Sequence, residues 1–123
     1  MEHQKLSVMI ISRMGAHQKA LQALCASIPQ ITLVGTASNY QQAIEMIANQ
    51  IPDVLILGAN LAMNWMCELL AQINTMDKPP YCIALTLSDS KICFDQKPEP
   101  DKVISTGSFA VRLPEILDEV YAR

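Results

Sequence analysis

Ser12 and Arg13 follow the apolar run Val8–Ile11, Gly58 and Asn60 follow Val54–Leu57, Thr86 closes Tyr81–Leu85, and Ser105 follows Val103–Ile104. Each stands where a buried segment passes into a loop, the usual place for binding and catalytic groups. Their chemistry is that of three hydroxyls, one carboxamide, one guanidinium and one bare backbone position. Arg13 offers fixed positive charge for a small anion, and Asn60 and Thr86 could complete a polar pocket around it. Equally, all of them can be satisfied by backbone groups or water. No carboxylate belongs to the set. The chain also has no Gly-rich phosphate loop and no Ser-His-Asp or Cys-His arrangement, so no enzymatic reaction is expected of it.

The elements that must position these residues are legible from the hydrophobic pattern. Strands are expected at Ser7–Ser12, Ile31–Gly35, Asp53–Leu57, Tyr81–Thr86 and Lys102–Ser105, most of them unbroken apolar runs of the kind that helices cover on both faces. Between them lie helical periods. Ala16–Ser27 turns Ala20, Leu21, Leu24 and Ile28 inward and ends before Pro29. A second helix opens on a Ser38–Gln41 capping box and runs to about Asn49, burying Ala43, Ile44 and Ile47. A third is capped by Asn64, runs to about Asn74 and buries Met66, Leu69, Leu70 and Ile73. Ser88–Asp101 breaks the rhythm, because Lys97-Pro98-Glu99-Pro100 cannot continue a helix; only a turn or two fits between Asp89 and Phe94. The last helix is expected from about Val111, with Pro114 in its first turn and Leu113, Ile116, Leu117 and Val120 inward.

Strands and helices in this alternation imply right-handed crossovers and a three-layer α/β fold: a doubly wound parallel sheet of order 2-1-3-4-5. Its crevice lies beyond the strand C-termini, where the first and third strands part, and the residues named above line it.

Composition narrows the function. The chain has 123 residues, 50% hydrophobic and 17% charged, with a net charge of −3, which suits one ordinary core. No lysine or arginine run supplies the electrostatics of nucleic-acid binding. No apolar stretch is long enough to cross a bilayer, and Met1–Lys5 leads into a strand without a signal-cleavage pattern. Cys25, Cys67, Cys82 and Cys93 form no CxxC pair; three of the four fall inside apolar runs, where cysteine behaves as a small hydrophobe, and a reducing cytoplasm is expected. His17, in the first helix, and His3, in the N-terminal tail, have no ligand partner at metal spacing. Neither a metal nor a cofactor is expected. Met9, Met46 and Met66 fall at core positions, whereas Met63 and Trp65 are candidates either for a contact surface or for packing over the crevice.

The chain resembles a bacterial response-regulator receiver domain of the CheY-like superfamily, and within it the NarL/FixJ class, over about residues 5–120. The resemblance rests on Leu33-Val34-Gly35-Thr36-Ala37-Ser38-Asn39, Gln42-Ala43 and Pro52-Asp53-Val54-Leu55-Ile56-Leu57, with Asn60 and Thr86 at fitting positions. It implies one receiver-like domain over 1–123. The family binds magnesium with an acidic pair ending the first strand and phosphorylates an aspartate after the third. A hydroxyl after the fourth strand and a lysine after the fifth hold the phosphate. Those positions fall here on Ser12 and Arg13, Gly58, Thr86 and Ser105, so only the hydroxyl matches, and the set reads as a vestigial phosphorylation site. The aromatic residue that reports phosphorylation in the family would fall near Lys102 or Val103 and is missing.

What the resemblance implies is therefore a non-phosphorylatable pseudo-receiver in a two-component-type pathway. It would act as an interaction or dimerisation module through the face of the fourth helix, fifth strand and fifth helix, represented by Asp89, Phe94 and Lys102. One alternative is a small-molecule sensor using the vacated crevice. Another is the receiver of a transcriptional regulator whose DNA-binding domain lies outside this chain.

Overall fold

The computed structural model describes residues 5–87 and 100–122. The elements are β1 (Leu6–Ile11), α1 (Ala16–Ala26), β2 (Ile31–Ala37), α2 (Tyr40–Asn49), β3 (Val54–Leu57), α3 (Met63–Ile73), β4 (Tyr81–Thr86), β5 (Lys102–Ser105) and α4 (Thr106–Tyr121). The five strands form one parallel sheet in the order β2-β1-β3-β4-β5, the expected doubly wound topology. The expected break at Ser88–Glu99, with Asp89, Cys93 and Phe94, lies outside the described residues, as do His3 and the side chain of Met63.

Successive strand side chains point to opposite faces, and the core accordingly divides in two. On one face Val8, Ile10, Val54, Ile56, Ile83, Leu85 and Ile104 pack with Leu21 and Cys25 of α1 and with Phe109, Leu113, Ile116 and Leu117 of α4. On the other, Met9, Ile11, Leu55, Leu57, Cys82 and Ala84 pack with Ala43 and Ile47 of α2 and with Met66, Leu69, Leu70 and Ile73 of α3. The sheet is sealed from both sides, so its strands need no polar alternation. At Val8/Met9 the β1–β2 register slips by one residue, and Gly35 rather than Val34 stands opposite Met9. Gly35 leaves the space that the Met46 methyl group fills.

Several boundaries differ from the sequence reading. α4 begins at Thr106, five residues before the expected start at Val111. Phe109, 2% exposed, lies one turn ahead of Leu113 on the same face, and burying it draws the first turn of helix into the core. Pro114 consequently stands inside the helix, on its exposed side. α2 is capped one residue later than expected. Asn39 Oδ1 accepts the Gln42 N–H at 2.9 Å, and Gln42 Oε1 accepts the Ser38 N–H at 2.9 Å. α3 starts at Met63 with Ala62 as its N-cap, so Asn64 lies inside it. β2 extends to Ala37, two residues past the expected Gly35. Ala20 is exposed, and the buried stripe of α1 is Gln18, Leu21 and Cys25. Burial pushes the Cys25 thiol up to about 11, which keeps it unreactive. Trp65 is half-buried and meets Tyr40 of α2 edge-on, with ring centres 5.7 Å apart.

At the far side of the sheet, Tyr81 Oη donates to Glu119 Oε2 at 2.9 Å, and Lys102 Nζ donates to Glu119 Oε1 at 3.2 Å. These bonds clip α4 to β4 and β5. The Tyr81 hydroxyl first, and the Lys102 ammonium second, hold the Glu119 carboxyl below its usual range. A carboxyl more acidic in the folded chain than in the unfolded one contributes stability above the unfolded value, and loses it as pH falls through the folded value. Between about pH 7 and about pH 3 the wild type should therefore lose slightly more stability to acid than Glu119→Gln. Urea midpoints measured for both proteins across that range check this.

Candidate functional site

The residues singled out beyond the strand ends do converge on the C-terminal edge of the sheet, and the close packing of β1 against β3 decides their arrangement. Gly58 N–H donates to Ile11 O at 2.8 Å, extending the β1–β3 ladder one step past the strand. Ser12, fully buried, follows on β1, and its N–H donates to Ala37 O of β2 at 3.0 Å. The two strand ends approach so closely that a Cβ on Gly58 would lie 2.9 Å from Ser12 Cβ, 2.9 Å from Ser12 Oγ and 3.1 Å from Asn60 Oδ1. Ser12 Cβ is anchored to the backbone and cannot swing aside.

Polar groups fill what remains. Ser12 Oγ lies 3.3 Å from Asn60 Oδ1 and 3.2 Å from the Arg13 carbonyl, and its proton serves one of them at a time. Asn60 Oδ1 also accepts the Arg13 N–H at 3.3 Å. The Arg13 side chain is exposed, so its guanidinium is not packed into the crevice. Thr86, 6% exposed, stands in register with Ser105 across the β4–β5 pair.

Two residues of α1 complete the arrangement, and sequence reasoning gave neither of them a site role. Gln18 Nε2 donates to the Ser12 carbonyl at 2.9 Å and to Ser38 Oγ at 3.2 Å, using both amide protons to tie the ends of β1 and β2. His17 Nε2 accepts the Ala59 N–H at 3.1 Å. Gly15, the N-cap of α1, directs them there. Its φ of 138° is a conformation that side chains rarely permit. A signal for Gln18 was available, because its spacing to Leu21 and Cys25 places an amide on the buried stripe. Nothing comparable marks His17.

The donor set does not fit magnesium. That ion requires carboxylate oxygens in near-octahedral array, whereas a hydroxyl, a carboxamide and a glycine meet here. Among the described residues no group of three or more His, Cys, Asp or Glu side chains could hold a metal. Asp53 is engaged at the opposite edge, where Oδ2 accepts the Ser7 N–H at 2.8 Å and the Ser7 hydroxyl at 3.1 Å. Of the expected interaction surface only Lys102 is described; it is half-buried and paired with Glu119. Among the described residues no helix is long and apolar enough to cross a membrane.

No family model and no curated protein matches the chain. Its fold is that of solved receiver domains. It is similar to the signal receiver domain of the response regulator NarL from Mycobacterium tuberculosis, with TM-score 0.74 and 15% identity over 98% of this chain and 100% of that one. It is similar to the response regulatory domain of MrkE from Klebsiella pneumoniae, with TM-score 0.77 and 16% identity over 95% and 96%. A third similar structure is a complex of CheY6 with the P1 domain of CheA3 from R. sphaeroides, with TM-score 0.72 and 18% identity over 98% and 100%.

The crowding at Gly58 is measurable. Gly58→Ala should destabilise the protein by about 1–3 kcal/mol through overpacking. Gly107→Ala, in the first turn of α4 with nothing within 4 Å of its added carbon, should stabilise it by about 0.5–1 kcal/mol. Urea unfolding of the two variants beside wild type distinguishes them by sign.

Proposed function

We propose that this chain is a receiver-like signalling module that acts through protein contact and does not accept a phosphoryl group. The observation that carries the reading is Gly58. At the C-terminal edge of the central strand, where an acceptor carboxylate would have to stand, there is no side chain, and Ser12 and Asn60 occupy the space one would need. Glycine cannot form an acyl phosphate, and the Arg13 side chain beside Ser12 supplies no carboxylate oxygen for a divalent ion. The same crowding weighs against the small-molecule alternative, because the carboxylates' place is taken rather than left open.

Protein contact is the remaining route for a signal. In the third similar structure CheY6 stands in complex with the P1 domain of CheA3, so an architecture of this kind can present a docking face. In this chain Val103 on β5, Val111 on α4 and Leu87 after β4 are large apolar side chains exposed by 37%, 80% and 80%. Val103 and Val111 lie on β5 and α4, the last strand and helix, among the elements in which the resemblance places partner docking or dimerisation. The role needs no cofactor and no catalysed reaction. A reducing cytoplasm suits the free thiols of Cys25, Cys67 and Cys82.

Incubation with acetyl phosphate and magnesium, followed by intact-mass measurement and light scattering, tests the proposal. The expected result is no added phosphoryl mass and no change in association state. A phosphoryl adduct that forms and then hydrolyses would overturn it.

A further inference from the structure

We propose that the cavity at the opposite end of the sheet, beside the first residues of β1 and β3, binds an α-amino acid with an apolar side chain. This goes beyond a module that signals through protein contact, because it supplies that module with a small-molecule input. Its failure would leave the proposed function untouched.

The cavity has a volume of about 820 Å³, within the usual range of small-molecule sites. Its apolar wall is made by Leu6 at the start of β1, Ile51 and Pro52 ahead of β3, and Val120 near the end of α4. Leu6 and Val120 belong to the core and are each 8% exposed, so this wall is fixed by the fold. Ile51 is different. It is 48% exposed, a large apolar side chain that folding leaves in water. An apolar group laid against it removes both from solvent.

Charged groups line the same cavity. Asp53 is held in place from three directions: Oδ2 accepts the Ser7 N–H at 2.8 Å and the Ser7 hydroxyl at 3.1 Å, its N–H donates to Ser7 O at 2.9 Å, and its carbonyl accepts the Tyr81 N–H at 2.9 Å. Among the described residues nothing donates to Asp53 Oδ1, so a fixed carboxylate keeps one oxygen to accept a ligand's proton. Asp77 and Lys78, between α3 and β4, also line the cavity. Both are exposed, and among the described residues neither forms an ion pair.

This combination selects the ligand class. A plain amine leaves the Lys78 ammonium unanswered, and a plain carboxylic acid brings like charge to Asp53 and Asp77. A zwitterion answers both, its ammonium donating to carboxylate and its carboxylate accepting from Lys78. Asp77 and Lys78 are adjacent in the chain and offer opposite charges side by side, as an α-amino acid carries them on one carbon. The apolar wall then takes its side chain.

The test is a titration of the isotope-labelled full chain with L-leucine, followed by amide resonances. The amides of Leu6, Asp53, Lys78 and Val120 should shift together and saturate with a midpoint of about a millimolar, while those of Ser12 and Gly58 stay in place. Leucine amide, which lacks the carboxylate, and 4-methylpentanoate, which lacks the ammonium, should each bind about two- to fivefold more weakly. Lys78→Ala, at an exposed side chain, should weaken leucine by the same factor and leave leucine amide unaffected. Absent or unsaturable shifts, 4-methylpentanoate binding as tightly as leucine, or a Lys78→Ala effect equal for leucine and its amide would overturn the proposal.

Discussion

The contact between Ser12 and Gly58, where β1 and β3 end side by side, is the constraint on which the rest of this site depends. A parallel pair of strands continued by a 2.8 Å backbone bond brings the two residues so close that only glycine fits opposite a buried serine. The carboxyl edge of a doubly wound sheet is ordinarily where ligands bind, because the connections to neighbouring strands diverge there. Here the divergence is closed by a hydroxyl, a carboxamide and backbone. The polar atoms that remain are turned toward one another, and among the described residues no buried side-chain nitrogen or oxygen lacks a hydrogen-bond partner.

The two core faces hold that edge in place from below. Strands that bury both faces cannot slip by a residue without exchanging their apolar neighbours, so the ends of β1 and β3 are fixed relative to one another by Ile10 and Ile56 on one side and Ile11 and Leu57 on the other. What the core fixes, α1 reinforces. Gln18 ties β1 to the residue after β2, and His17 reaches the loop after β3. One short helical turn therefore gathers three strand ends, and Gly15 lets the chain turn sharply enough to do so. The result is a receiver-like scaffold whose crevice gives its polar groups structural work, with hydroxyls, a carboxamide and glycine at its edge among the described residues.

Much of this was legible in the sequence, because apolar runs and their punctuation report directly on burial. The strands, their order and the identities of Ser12, Gly58, Asn60, Thr86 and Ser105 at the carboxyl edge follow from periodicity and crossover rules. The start of α4 did not, since Pro114 suggested a first turn while Phe109 had already committed an earlier one to the core. The cap of α2 was missed by one residue because Ser38 and Asn39 are both good caps, and only the geometry chooses between them. The closing of the crevice was not legible at all. The residue types read as a vacated crevice, whereas Ser12 and Asn60 fill the space beside Gly58. His17 escaped for a related reason: its partner is a backbone amide, which leaves no trace in residue type.

Magnesium probes whether this edge offers a cage of charged oxygens. Adding the ion to the isotope-labelled chain while following the amides of Ser12, Gly58 and Asn60 should leave all three resonances unmoved up to millimolar concentration. A saturable shift confined to those amides would mean that a cation is seated there, and would contradict the account.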